Sequence, residues 1–286
     1  YFEKGLKLDE AIKGAEHPDV GVSLLNLSIV ERTAGRLEKA TQHVERALAI
    51  FRAVYGDGHP HTLKARDSLA SILKLRGDYD GARREYETSL AAWTDLYGPD
   101  DPRLAQTLGN LGSLESHVGD HERAAELLAR SLKLRQSKSS PRPSAVAIDE
   151  LNYACAIREL GRLDEALRVL QQAHKRLEPL GSNSQLLWIA KVEIAATKLA
   201  LGRSDIAREA LEELSASPLA AEVSPTNRGA VHFELAKAIM ATDRDMARAR
   251  TLAEHAVEAF TERSMDAEYL EEARTWLAGL PSTSSR

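Results

Sequence analysis

Four polar side chains recur at one interval: Asn26, Ser68, Asn110 and Asn152 stand 42 residues apart. Amide and hydroxyl groups supply both donors and acceptors, so a ladder of them can hold the backbone of an extended peptide without reading its sequence. The competing use is to satisfy the carbonyl of a neighbouring helix. Cations fall near the same positions: Lys64 precedes Ser68 by four residues, and Arg32, Lys74 and Arg158 follow Asn26, Ser68 and Asn152 by six. Guanidinium and ammonium groups among asparagines suit an acidic peptide or a free C-terminal carboxylate. Asp67 and Glu159 partly offset that charge, and ordinary solvated charge on a helix surface accounts for the cations equally well.

Other residues with chemical potential lack company. Ser71 and Lys74 match an S-x-x-K spacing, with no accompanying serine or lysine motif. His117 and His121 are four apart but Gly119 turns the chain between them, so they do not share a helix face as zinc ligands would. His59 and His61 flank Pro60, where helix capping explains them better than a metal. Cys155 is the sole cysteine, which excludes an internal disulfide and a multi-cysteine metal site and fits a reducing, cytoplasmic setting. Trp93, Trp188 and Trp276 read as packing between repeats. No nucleotide-binding fingerprint occurs, and no acid, base and nucleophile share one face. The expectation is a non-enzymatic chain with no metal and no cofactor.

The elements that must carry these residues are written in the same period. Gly35, Gly77, Gly119 and Gly161 are 42 apart; a small residue follows each by five (Ala40, Ala82, Ala124, Ala166) and another by twelve (Ala47, Ser89, Ser131, Ala173). A period of 20–50 residues means an array of stacked units, not a mixed globular fold. Apolar residues at three- and four-residue spacing, such as Leu24, Leu27, Val30 and Ala34, mark one buried helical stripe before each glycine, and Leu37, Ala40, Val44, Ala47, Leu48 and Phe51 mark a second after it. Each unit is therefore an antiparallel helix pair. The boundaries follow: 1–16 is the second helix of a truncated repeat, and 17–58, 59–100, 101–142, 143–182 and 183–223 are repeats one to five. A divergent sixth spans 224–264 with Asp243 in place of the turn glycine, 265–280 is a capping helix with one polar face, and 281–286 is a disordered tail. The polar, proline-bearing run from Gln136 to Pro143 is expected to be a flexible joint.

The formal net charge is −5, which gives no general attraction for nucleic acid or an anionic membrane, and no run of 18 apolar residues exists to span one. With 43% apolar and only 5% aromatic residues, the chain can bury a core but is not a sheet sandwich. Sliding residues 1–14 forward by 42 lays Leu6 on Leu48 and Gly14 on Gly56, so the chain reads as a fragment that begins inside a repeat.

The turn glycine with its following alanines resembles the tetratricopeptide repeat. The 42-residue unit, with its Tyr55-Gly56 and Tyr97-Gly98 endings and its His-Pro or Asp-Pro starts, resembles the kinesin-light-chain subtype rather than the usual 34-residue one. That resemblance implies an all-α, right-handed solenoid, a superhelix of antiparallel helix pairs with a C-terminal capping helix. It implies that the first helix of each pair lines a concave groove, and that Asn26, Ser68, Asn110 and Asn152 point into it. It further implies a partner that is a protein or peptide, held as by a scaffold or adaptor. The tail from Glu234 to Phe260 is similar to the C-terminal ends of bacterial serine/threonine kinases that carry such arrays. This implies, as an alternative, a regulatory or substrate-docking arm, although no kinase motif occurs in these residues. Self-association of the array is a third expectation.

Overall fold

Prolines and glycines punctuate the chain into helices. A computed structural model describes residues 2–137, 142–181, 184–261 and 267–281; residues 138–141 of the expected joint and 282–286 of the expected tail lie outside these. Among the described residues there are fourteen α-helices and no strand. They form two compact units, Tyr1–Pro141 and Arg142–Arg286.

The first unit contains α1 (Phe2–Lys13), α2 (Pro18–Thr33), α3 (Leu37–Tyr55), α4 (Pro60–Leu75), α5 (Tyr79–Tyr97), α6 (Ala105–His117, led by a 3-10 turn Pro102–Leu104) and α7 (His121–Gln136). The second contains α8 (Pro143–Glu159), α9 (Leu163–Leu177), α10 (Gln185–Ala200), α11 (Ser204–Ala216), α12 (Pro225–Ala241), α13 (Met246–Thr261) and α14 (Ala267–Gly279). Pro18, Pro60, Pro143 and Pro225 each occupy the first position of a helix, where a missing N–H breaks no bond. Helix α12 thereby starts one residue inside the expected boundary of the sixth repeat at 224.

Each pair is closed by one device. Gly35, Gly77, Gly119, Gly161 and Gly202 lie at φ 76°, 82°, 87°, 76° and 74°, the left-handed region that penalises a Cβ. The residue after each donates its N–H five residues back: Arg36 to Glu31, Asp78 to Leu73, Asp120 to Glu115, Arg162 to Ile157 and Arg203 to Lys198, all at 2.9–3.0 Å. This satisfies a carbonyl that the helix end would otherwise orphan. The sixth pair departs from expectation. Asp243 pairs with Arg208, and the left-handed conformation falls one residue later, on Arg244 (φ 53°). The turn is one residue longer, with Asp245 rather than its predecessor capping α13 through the Arg248 N–H at 3.0 Å.

Small residues let the pairs close. Ala40, Ala82, Ala124, Ala166 and Ala207 are fully buried, as are Ala47, Ser89, Ser131 and Ala173. Where serine replaces alanine the hydroxyl bonds the facing helix, as Ser131 Oγ does to the Ala105 carbonyl at 2.6 Å. The first pair fits a large residue to an absent one: a Cβ on Gly21 of α2 would lie 2.7 Å from Phe51 of α3. The sixth pair repeats this with Gly229 and Phe260 at 2.8 Å. Trp93 packs with Leu63, Leu104 and Leu134, Trp188 with Leu211 and Leu235, and Trp276 meets the Phe233 ring edge-on at 5.8 Å.

In the first unit α2 touches α4 and α4 touches α6; in the second α8 touches α10 and α10 touches α12. Within each unit the first helices thus lie side by side; α2, α4, α6, α10 and α12 pack also on the second helices before and after them, and α8 on α9. A first helix so enclosed keeps one stripe for solvent, and that stripe is where ligand chemistry can occur.

Candidate functional site

In the first unit the stripe comprises Val22, Asn26, Ile29 and Arg32 on α2; Lys64, Ser68, Ser71 and Lys74 on α4; and Gln106, Asn110, Ser113 and Ser116 on α6. All twelve reach solvent, fully or in part, beside the buried Leu24, Leu63 and Leu108. The equivalent stripe of the second unit is Ile148, Asn152, Cys155 and Arg158 on α8; Ile189, Glu193, Ala196 and Leu199 on α10; and Ala230, Glu234, Lys237 and Met240 on α12.

The first unit keeps its stripe open. Asn26 and Ser68 make no side-chain hydrogen bond among the described residues, and Asn110 only accepts from Gln106 Nε2 of its own helix at 3.0 Å. None of the three bonds a neighbouring helix carbonyl. Arg32 and Lys64 likewise have no ion pair among the described residues. Lys74 Nζ reaches across to α6 and donates to the carbonyl and the hydroxyl of Ser113, both at 3.0 Å. Ser71 Oγ bonds Tyr86 OH at 2.7 Å, so the hydroxyl and the amine of the S-x-x-K match turn to different partners. The stripe carries three cations and no carboxylate.

Asp67, expected to offset that charge, does not lie on the stripe. It is buried between α4, α5 and α6, where Oδ2 accepts from Thr107 Oγ1 at 2.7 Å and Oδ1 finds no partner. Burial pushes its carboxyl up to about 6, restrained by the Ser89 and Thr107 hydroxyls. The reason is rotation: one residue is about 100° of helix, enough to carry Asp67 from the solvent stripe beside Ser68 into the α5 and α6 contact.

The second unit neutralises its own stripe. Arg158 Nη1 bonds Glu193 Oε2 at 2.6 Å and its Nε lies 3.4 Å from Glu159, so this candidate ligand cation is already engaged. Cys155 Sγ also approaches Glu193 Oε2, at 3.4 Å; burial and that carboxylate push the thiol far up, which leaves it an inert packing group. Lys237 Nζ bonds Glu234 at 2.6 Å, lies 3.6 Å from Glu272 of α14 and stands 4.5 Å above the Phe233 ring. Burial raises the Glu234 carboxyl. Only Asn152 is left without a side-chain hydrogen bond among the described residues. The Arg158–Glu193 pair escaped sequence reasoning because it joins two stripe positions of successive repeats that differ in phase. Opposite charges 35 residues apart in a repeat of about 42 are the signal.

The histidines have structural partners. His59 Nδ1 accepts from the His61 amide at 3.2 Å, and His117 Nε2 is 2.9 Å from Tyr79 OH. Among the described residues no group of three His, Cys, Asp or Glu could hold a metal, and no helix is long and apolar enough to cross a membrane.

The helix-pair plan, the turn glycines and the small-residue contacts are matched by a family model. The tetratricopeptide repeat model aligns with residues 1–53, 32–84 and 62–137. Residues 1–137 match the tetratricopeptide repeat. Among solved structures, the nearly identical repeats of a kinesin light chain from Podosopora anserina are similar to 72% of this chain over 97% of theirs, at 22% identity and a TM-score of 0.58. A Rap protein complexed with competence and sporulation factor matches 98% of this chain and 82% of its own, at 16% identity and a TM-score of 0.65. The Cut9–Hcn1 hetero-tetramer of the APC/C matches 94% and 46%, at 16% identity and a TM-score of 0.67. These likenesses establish the fold, a tetratricopeptide solenoid that resembles kinesin light chains. No curated protein sequence matches the chain.

Proposed function

We propose that this chain is a protein-interaction scaffold that holds an extended segment of a partner protein on the first-helix face, chiefly that of the first unit. The observation that carries this is the set Asn26, Ser68 and Asn110: one phase of three adjacent helices, in solvent, with no bond to a neighbouring helix. Beside them stand Arg32 and Lys64, uncompensated by any carboxylate on the stripe. Amides satisfy a peptide backbone and the cations favour an acidic segment or a free C-terminus. The Rap and Cut9 structures, each a complex with another protein or factor, support the general role.

The test is display of random 12-residue peptides on the full chain, followed by titration of the enriched sequences. Acidic sequences are expected, with Asn26→Ala plus Asn110→Ala weakening them at least tenfold and Lys64→Glu more, at unchanged helicity. Enrichment of basic sequences, or binding that survives while the melting temperature falls, refutes the assignment.

A further inference from the structure

Glu193 stands on α10 at the phase that Asn26, Ser68 and Asn110 hold in the first unit. Among the described residues it is the one member of that phase to bond a neighbouring first helix: its Oε2 accepts from Arg158 Nη1 of α8 at 2.6 Å. Arg158 belongs to the row of Arg32 and Lys74, at whole multiples of the 42-residue interval. The side chains of the pair keep 21% and 20% of their surface in solvent, so a ligand on this face can reach them.

The repeat supplies its own comparison. One first helix on from Arg32, the place that corresponds to Glu193 is taken by Ser68; one on from Lys74 it is taken by Asn110. Neither side chain is charged, and Arg32 has no ion pair among the described residues. The cation of this row that meets a carboxylate from the next first helix is therefore Arg158. Glu234 of α12 repeats the carboxylate once more, but the residue answering Arg158 on α10 is Leu199, and Glu234 turns to Lys237 of its own helix at 2.6 Å.

The other groups around the pair do not do the work of Glu193. Glu159 lies 3.4 Å from Arg158 Nε with half of its side chain in solvent, and an exposed contact of that kind contributes little. Cys155 lies 3.4 Å from the same Glu193 oxygen, but burial keeps its thiol protonated and without charge. A carboxylate on a guanidinium is the contact that an acidic segment would bring. Glu193 brings it from within the chain, where a tethered group competes at an effective concentration on the order of millimolar.

We propose that Glu193 is a specificity-determining residue, a built-in competitor that occupies Arg158 in place of an acidic partner segment and so restricts such segments to the first unit. This rests on the reading that the first-helix face of the first unit takes acidic segments. Replacing Glu193 by a neutral residue opens a second acidic-ligand site, made of Arg158 and the Asn152 amide on α8.

The test titrates fluorescein-labelled hexaglutamate against the full chain carrying Arg32→Gln and Lys64→Gln, so that binding reports the second unit. Adding Glu193→Gln is expected to tighten binding about tenfold, the scale of one charge-assisted hydrogen bond, and adding Arg158→Gln to that chain is expected to remove the gain. No gain overturns the proposal, as does a gain that survives Arg158→Gln. An equal gain from Glu159→Gln, which changes the net charge by the same amount, also overturns it. Hexaglutamate binding by the unsubstituted chain that Arg32→Gln plus Lys64→Gln leaves unchanged refutes the first-unit reading; a failure at Glu193 alone leaves that binding dependent on the two cations. If Glu193→Gln fails to fold, phenylglyoxal modification of the unsubstituted chain decides: Arg32 is expected to react several-fold faster than Arg158, and equal rates overturn the proposal.

Discussion

The Asp67 carboxyl is enclosed by three helices, with one oxygen bonded to Thr107 and the other to nothing. Its raised value of about 6 means that the folded chain holds the proton more tightly than the unfolded chain, where aspartate titrates near about 3.9. The sign follows: this group's contribution is full below pH 4 and is lost as pH rises through 6, amounting to on the order of 2–3 kcal/mol. Asp67→Asn is expected to flatten the urea stability profile between about pH 4 and 6.5, and an unchanged slope would show that the carboxyl is already ionised throughout. Ser68, the next residue, faces solvent. The repeat interval made the polar phase at Asn26, Ser68 and Asn110 legible in the sequence, since only a recurring environment preserves a recurring polarity. It did not reveal Asp67's burial, because a first helix packed on most sides buries polar neighbours as readily as apolar ones. The pairing of Arg158 with Glu193 was hidden for a different reason: the two stand at different phases of successive repeats, which a comparison at the 42-residue interval does not bring together.

At the scale of elements, helix bounds follow from prolines at first positions and glycines after last ones, signals with direct backbone causes. Where the signal was absent the reading failed by one residue, as at Asp243 and Arg244. Pair closure depends on contacts such as Gly21 against Phe51. Gly21→Ala puts a methyl 2.7 Å from that ring and is expected to lower stability by about 1–3 kcal/mol in a denaturant titration. Phe51→Leu in the same chain should recover part of the loss, a coupling that a double-mutant cycle reads directly. Simple additivity of the two losses would mean that the helices move apart instead. The same substitution at Gly229 against Phe260 offers an independent copy of the experiment in the second unit.

Over the whole molecule, the two units share a plan but differ in what their exposed stripes offer: in the first, amides beside Arg32 and Lys64, which have no ion pair among the described residues, and in the second, internally paired charges. The turns, by contrast, are alike in both. At Gly35, Gly77, Gly119, Gly161 and Gly202 the backbone is left-handed and a Cβ would meet nothing within 4 Å. The obstacle to a side chain there is its handedness and not its bulk. A natural L-alanine at Gly119 is expected to destabilise the chain by roughly 1–2 kcal/mol. D-alanine, introduced by chemical ligation, should stabilise it by about 0.4–1 kcal/mol, because it narrows the unfolded ensemble without straining the fold. Opposite displacements of the urea midpoint by the two enantiomers would establish this. Every second helix from α3 to α13 is then reached through a position of mirror-image geometry, five of them through a glycine, and an array assembled with D-residues at those glycine turns would keep its helices while gaining stability at each one.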